Sequence, residues 1–245
     1  PGPDETAGPG GVRRREPIHS PLAFSGGRIL NILVTGSSGF IGRHLCTALA
    51  ADKIHPWDRI DPAGRPNSGR ELSNPAYRRK LIDAVQLVDQ VYHLAGNANT
   101  TAHENPDVML EDVDAAAAVM RACLVRKTPL VVMSSAYAKG RNTNYGLTRA
   151  LIEELCAGFR GLGLPVSVAR LYNVYGPGQE RATTYQSTVV LNLYRSFSKG
   201  EFTLRNPRAR RDFIYIDDVV ASLKAIMEQT EHGQASLYEV GSGQM

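Results

Sequence analysis

Residues 29–50, ILNILVTGSSGFIGRHLCTALA, pass from an apolar strand through a glycine turn into a helix within about twenty residues. Ile32, Leu33 and Val34 form a short run suited to a strand buried on both faces, and Leu45, Ala48 and Leu49 then recur at helical spacing. The glycines fall where the period changes. Gly36 permits a tight turn, Gly39 lets the backbone approach a pyrophosphate, and Gly42 allows the helix to pack closely on the strand. Unpaired N–H groups and the helix dipole favour the phosphates at the helix N-terminus. A glycine triplet in a flexible loop would lack both flanks, so the stretch predicts the first strand, turn and helix of an α/β dinucleotide-binding sheet.

The spacing of Thr35-Gly36-Ser37-Ser38-Gly39-Phe40-Ile41-Gly42 resembles the TGxxGxxG of the extended short-chain dehydrogenase/reductases, the NAD-dependent epimerase/dehydratase family. That resemblance implies a Rossmann-type doubly wound parallel sheet with a smaller C-terminal substrate lobe, bound NAD and a nucleotide-sugar substrate. Gly36, Ser38, Gly39, Phe40, Ile41 and Gly42 are the cofactor contacts it implies in this turn.

At 245 residues the chain can bury one good core, or one domain plus part of another. No apolar run approaches the roughly 20 residues of a membrane span, and no membrane partner is expected. Cys46, Cys123 and Cys156 are scattered in helix-like segments, which points to buried free thiols in a reducing, cytoplasmic compartment and not to a disulfide framework or a metal site. The formal charge of +4 and pI near 9.0 suit an anionic ligand such as a dinucleotide or nucleotide sugar, but so small an excess does not indicate nucleic acid. Residues 1–28 are rich in Pro, Gly and charge without an apolar period, and read as a flexible extension, the Arg13-Arg14-Arg15 run being solvated. The dinucleotide-binding domain is expected over 29–175. A substrate segment over 176–245 returns in part to the same sheet.

Ile54 to Trp57 reads as a second strand ending at Asp58, about twenty residues past the first glycine, where a carboxylate accepts hydrogen bonds from both adenosine ribose hydroxyls and favours NAD. Arg59 offers a partner for a 2′-phosphate and leaves NADP as the alternative. A helix over Pro75–Val85 and a strand over Gln90–Gly96 follow. By resemblance, Glu71-Leu72 brackets the adenine, with Glu where Asp is commoner, and Leu94, Ala95 and Gly96 pass under the cofactor. His93, inside an apolar strand, reads as a core group. In the long alanine-rich helix over Asn105–Arg126, Glu111-Asp112-Val113 stands where the family usually has an asparagine in an NNV segment.

Pro129 to Ser135 predicts a strand with two hydroxyls at its end, similar to the family's SSxxVYG segment. Counting back from Gly140 makes Ser135 the group that hydrogen-bonds the reacting sugar hydroxyl. The family's 4,6-dehydratases follow that residue with Asp-Glu, its UDP-glucuronate decarboxylases keep the Glu, and its GDP-fucose synthases have a cysteine at the first of these positions. Here the two positions are Ala136 and Tyr137. Tyr145-Gly146-Leu147-Thr148-Arg149 resembles YxxxK. The spacing of four puts both side chains on one helix face, where a cation supports the phenolate of a tyrosine general base. The cation is Arg149, planar, larger and never a useful proton donor, where the family has lysine. Only four residues separate Gly140 from Tyr145, so the loop that covers the substrate elsewhere in the family is short or missing.

RLYNVYGPGQ closely matches R(F/L)xNVYGP and implies that Asn173 contacts the nucleotide sugar and Tyr172 shapes the nicotinamide pocket. An amphipathic helix is expected over Thr188–Lys199. RDFIYIDDV implies an Arg211 clamp on the substrate diphosphate, with Asp217-Asp218 tying the next helix to the core. LYEVGSG matches a strand after which family members continue, which predicts an incomplete C-terminal lobe. The expected chemistry is nucleotide-sugar hydride transfer with C4 epimerisation, carried by Ser135, Tyr145 and Arg149, of which Tyr145 and Arg149 also bind the cofactor, Arg149 holding the ribose and the tyrosinate. A reductase or dehydrogenase of the same family, and a dinucleotide-binding protein with weak or lost catalysis, are the alternatives. The resemblance also implies a homodimer through the Asn105 and Tyr145 helices.

Overall fold

Alternation along each strand decides which helices cover which side of the sheet. In the computed structural model, which describes residues 28–59, 75–181, 189–200 and 208–244, β1 spans Asn31–Thr35. Leu33 of β1 packs in one core with residues of α2 (Pro75–Val85), α3 (Pro106–Arg126) and α5 (Asn144–Gly161), while its neighbours Ile32 and Val34 pack in a second core with α1 (Phe40–Ala48) and α7 (Ile216–Glu231). β3 (Gln90–His93) and β4 (Leu130–Ser135) divide in the same way, Val91 and Val132 to the first core, Tyr92 and Val131 to the second. A sheet apolar on both sides and covered on both is the doubly wound arrangement.

Six parallel strands run in the order β2-β1-β3-β4-β5-β8, with β2 at Lys53–Trp57, β5 at Val166–Leu171 and β8 at Leu237–Val240. The order reverses between β1 and β3, so the carboxyl ends of those two strands form the switch point at which such sheets bind ligands. The Rossmann-type sheet is as the sequence predicts, and α7 with β8 returns the C-terminal segment to it.

Two strand ends differ from expectation. β3 stops at His93 and not at Gly96, because the chain bends there onto β1: the Leu94 amide donates to the Thr35 carbonyl at 3.1 Å and the Ala95 amide to Thr35 Oγ1 at 3.3 Å. The expected strand over Leu164–Asn173 divides at Tyr172. Its amide makes the last bond to β8, through the Val240 carbonyl at 3.0 Å, and the next amide, of Asn173, turns to the Asp212 carbonyl at 3.1 Å. Asn173–Tyr175 is therefore β6, paired with β7 (Phe213–Tyr215) in a separate two-stranded sheet.

The acids after β7 also sit otherwise than expected. Asp217 and Asp218 lie exposed in the first turn of α7, where they complement the helix dipole. The tie is made by buried Asp212, whose carboxylate accepts from the Ser242 amide at 2.8 Å, the Ser242 hydroxyl at 2.7 Å and the Gly243 amide at 2.9 Å. The amphipathic helix is present as α6, Val189–Lys199. Cys123 and Cys156 are buried, Cys46 is partly buried, and all three are free; burial pushes the Cys156 thiol up to about 12. No helix among the described residues is long and apolar enough to cross a membrane. Residues 1–27, Glu71 and Leu72 lie outside the described residues.

Candidate active site

The glycine turn after β1 has the shape its spacing predicts. Gly36 has φ +70, its amide donates to the Trp57 carbonyl at 2.9 Å, and a Cβ there would lie 2.7 Å from the Ala95 nitrogen. A Cβ on Gly42 would lie 2.1 Å from the Gly36 carbonyl oxygen, so only glycine lets α1 start this close to the turn. Gly39 is the N-cap of α1 and offers no side-chain bond to the first-turn amides, and the buried Ser37 hydroxyl has no partner among the described residues. Uncapped amides, an unpaired hydroxyl and a backbone stripped of Cβ atoms suit a pyrophosphate. Asp58 at the end of β2 comes to the same turn, its carboxylate accepting the Ser38 amide at 2.9 Å, while Arg59 is exposed. Phe40 and Ile41 are half-buried in the first turn of α1, Phe40 edge-on to His44 with ring centroids 5.5 Å apart. These residues fit NAD: a phosphate cradle with a carboxylate at the end of the next strand, brought to the same turn.

Leu94, Ala95 and Gly96 leave β3 beside that cradle. Beneath them His93, 3 % exposed, shares a 2.7 Å hydrogen bond between its Nδ1 and Thr35 Oγ1. Burial, and secondarily the Arg149 charge, lower its pKa from the usual 6.5 to about 3. The folded protein therefore holds His93 neutral, as the sequence suggests for a core histidine. Between pH 6.5 and 3 the unfolded chain binds a proton at this residue that the folded chain does not, so stability rises with pH across that window, by up to about 1.4 kcal/mol per pH unit from this group. His93→Gln is expected to flatten the dependence of the urea midpoint on pH between 6 and 4. An unchanged slope would remove His93 from the acid sensitivity.

Arg149, one turn past Tyr145 on the same face of α5, is 4 % exposed. Its Nη2 donates to Asp112 Oδ2 at 2.6 Å and to the Asn97 carbonyl at 3.0 Å, and its Nε–H finds no partner among the described residues. The guanidinium lies over Gly96, where a Cβ would stand 2.8 Å from Nη2. Asp112, on α3, also accepts the Asn97 amide on both oxygens, at 3.0 and 3.1 Å, and faces His103 Nε2 at 3.3 Å. His103 is wholly buried in a short 3-10 helix, Ala102–Glu104, with Nδ1 2.9 Å from the Asn99 carbonyl. Its edge meets the Tyr145 ring at a centroid distance of 5.0 Å, and the Arg149 guanidinium carbon is also 5.0 Å from that ring's centroid. One carboxylate thus gathers the loop after β3, α3 and α5 around the tyrosine.

Ser134 and Ser135 point oppositely. Ser134 donates to Glu153 at 2.7 Å on the buried side, leaving half-buried Ser135, whose Oγ accepts the Tyr137 amide at 3.4 Å. Tyr137 begins a one-turn helix, α4 (Tyr137–Gly140), and its ring lies edge-on to Tyr145 with centroids 5.8 Å apart, so it adjoins both expected catalytic groups. Three residues then lead to α5, capped by Thr143, whose hydroxyl accepts the Gly146 amide at 3.0 Å. A Cβ on Gly146 would be 2.5 Å from the Tyr137 carbonyl, which shows how tightly the short loop closes α4 on α5.

The two residues expected at the substrate are less committed to it. Asn173 Nδ2 donates to the Asp212 carbonyl at 2.8 Å, and Arg211 is exposed with Nη1 on the Arg210 carbonyl at 2.9 Å. No contact brings either to Tyr145. Tyr172, expected at the nicotinamide, bonds outward: Lys139 donates to its hydroxyl at 2.9 Å, and that hydroxyl donates to Glu239 at 3.0 Å. His103 and Asp212 were not legible as site-shaping groups. The first lies in a segment without periodicity, and the second sits in a motif whose neighbouring acids draw the attention.

The family model of the NAD dependent epimerase/dehydratase family matches residues 32–241. UDP-N-acetyl-alpha-D-glucosaminuronate decarboxylase of Bacillus cytotoxicus is 26% identical over 243 residues, covering 86% of this chain and 74% of that protein. Among solved structures, the NAD dependent NDP-hexosamine 5,6-dehydratase TunA is similar with TM-score 0.73 and 26% identity, over 88% of this chain and 76% of its own. MoeE5, in complex with UDP-glucose and NAD, is similar with TM-score 0.72 and 26% identity, over 87% and 76%. With its glycine cradle, switch point and Tyr145 helix, the chain belongs to the NAD dependent epimerase/dehydratase family, as an NAD-dependent enzyme of the extended short-chain dehydrogenase/reductase type.

Proposed function

We propose that the protein is a nucleotide-sugar epimerase, with Tyr145 as general base, and that C4 is the centre it inverts. The observation that carries this is the clustering of Ser135, Tyr137, Tyr145 and Arg149 beside the dinucleotide cradle at the sheet's switch point. Bound NAD supplies the hydride acceptor. Tyr145 removes the proton of the sugar hydroxyl, Ser135 shares that hydrogen bond, and Arg149, beside the same ring, holds the ribose and the tyrosinate. Gly36, Ser38, Gly39, Phe40, Ile41 and Gly42 hold the pyrophosphate, Asp58 and Arg59 the adenosine ribose, Glu71 and Leu72 the adenine, and Leu94, Ala95 and Gly96 the cofactor's underside. Asn173 and Arg211 hold the nucleotide sugar once their present backbone bonds are exchanged. Residues 29–175 form the cofactor domain and 176–245 the substrate segment, and two copies pair through α3 and α5, on which Leu110, Leu147 and Leu151 are exposed.

The positions after Ser135 are Ala136 and Tyr137, without the acid that the resemblance requires for 4,6-dehydration or for UDP-glucuronate decarboxylation, which favours epimerisation over those two outcomes. Incubation with UDP-, GDP- and dTDP-sugars, followed by separation of C4 epimers, tests the reading. It expects epimer formed without net consumption of dinucleotide or release of carbon dioxide. Stoichiometric consumption of reduced dinucleotide would instead establish the reductase.

A further inference from the structure

We propose that Asp112 sets the charge that Tyr145 meets: it neutralises the Arg149 guanidinium, so the ring faces a closed ion pair and not a lone cation. This rests on the reading of Tyr145 as the base. The pair is 2.6 Å long, with Arg149 and Asp112 side chains 5% and 10% exposed, so water and salt screen it little. The carboxylate is pinned from the loop by the Asn97 amide, and the guanidinium is confined by the Gly96 backbone. A lysine–asparagine combination at these positions, the pattern of the resemblance, would present a net positive charge where arginine with aspartate presents none.

The other titratable groups around the tyrosine come from the 3-10 helix, from α4 with the residue after it, and from β3. His103 of the 3-10 helix meets the Tyr145 ring and also Asp112, at 3.3 Å, a longer contact than the guanidinium makes. Tyr137 of α4 meets the ring edge-on, and His93 of β3 lies within the field of Arg149. Lys139 of α4 and Arg141 just after it are directed to Glu239 and Glu154. The charge within reach that a single conservative change can alter is therefore the Asp112–Arg149 pair.

Asp112→Asn leaves the guanidinium uncompensated and favours the phenolate. The acid limb of the pH–rate profile is expected to move to lower pH by about one unit. Arg149→Gln leaves the carboxylate uncompensated and moves the limb up by a similar amount, and the doubly substituted protein returns close to the starting profile. A second readout needs no turnover: tyrosinate absorbance is titrated in each protein and in its Tyr145→Phe counterpart, and the difference isolates Tyr145. Opposite shifts in the two variants are the expected result. Absence of a shift in either, or shifts of the same sign, would overturn the proposal, since a merely structural role lowers the rate without moving the limb. If Asp112→Asn does not fold, Asp112→Thr, which also removes the charge and keeps an acceptor for the Asn97 amide, is titrated in its place with the same downward shift expected. Failure of the catalytic reading looks different: Tyr145→Phe would keep its turnover while the absorbance titrations still separated the variants.

Discussion

Asp112→Ala is expected to lower the unfolding free energy by about 3–5 kcal/mol, because it strands a buried guanidinium without its counter-charge. The geometry makes the loss larger than that of an ordinary surface pair. Arg149 is 4 % exposed, its Nε–H is already unpaired, and Gly96 blocks its retreat. The same change also orphans the Asn97 amide, which has both carboxylate oxygens within 3.1 Å, and removes the acid that faces His103. Denaturant unfolding of the variant checks this. A loss under about 1 kcal/mol, the range of an exposed ion pair, would mean that the pair is open to solvent in solution. Asp112→Asn, which keeps an acceptor for the Asn97 amide, is expected to lose less.

Tyr145→Phe is expected to lower turnover by about 10²–10⁴-fold, the usual contribution of a positioned general base, while NAD stays bound. The hydroxyl alone is removed; the ring that packs between His103, Tyr137 and the Arg149 guanidinium remains. Unfolding and cofactor content should accordingly match the unsubstituted protein. Turnover within about 3-fold would assign proton removal to another group, with Tyr137, exposed at the mouth beside Ser135, as the nearest phenol.

Much of the fold was legible because it is local. The turn from β1 into α1 is written within eight positions: Gly36 turns the chain at φ +70, and Gly42 sits where a Cβ would strike the Gly36 carbonyl. The two strand ends that differ are set from a distance. Thr35 draws the end of β3 across the sheet, and Asp212 draws Asn173 out of β5. The site was legible residue by residue, but not in its couplings. Asp112 and Arg149 read in the sequence as two separate departures from a family pattern, thirty-seven positions apart. In the structure they are one ion pair, so an acid where an amide is usual and an arginine where a lysine is usual compensate each other. No spacing rule connects a residue of α3 with one of α5; packing does. His103 was invisible for the same reason, since only the folded loop brings it between Asp112 and Tyr145.

The measurement that bears most directly on the central claim is cofactor release joined to a substrate panel. The purified protein is denatured, any dinucleotide set free is identified, and nicotinamide absorbance of the native protein is followed as UDP-, GDP- and dTDP-sugars are added. The expected result is bound NAD that becomes reduced with at least one sugar nucleotide. Protein that carries NAD yet neither reduces it nor inverts any of these sugars would contradict hydride chemistry at Tyr145 and support a dinucleotide-binding role without catalysis.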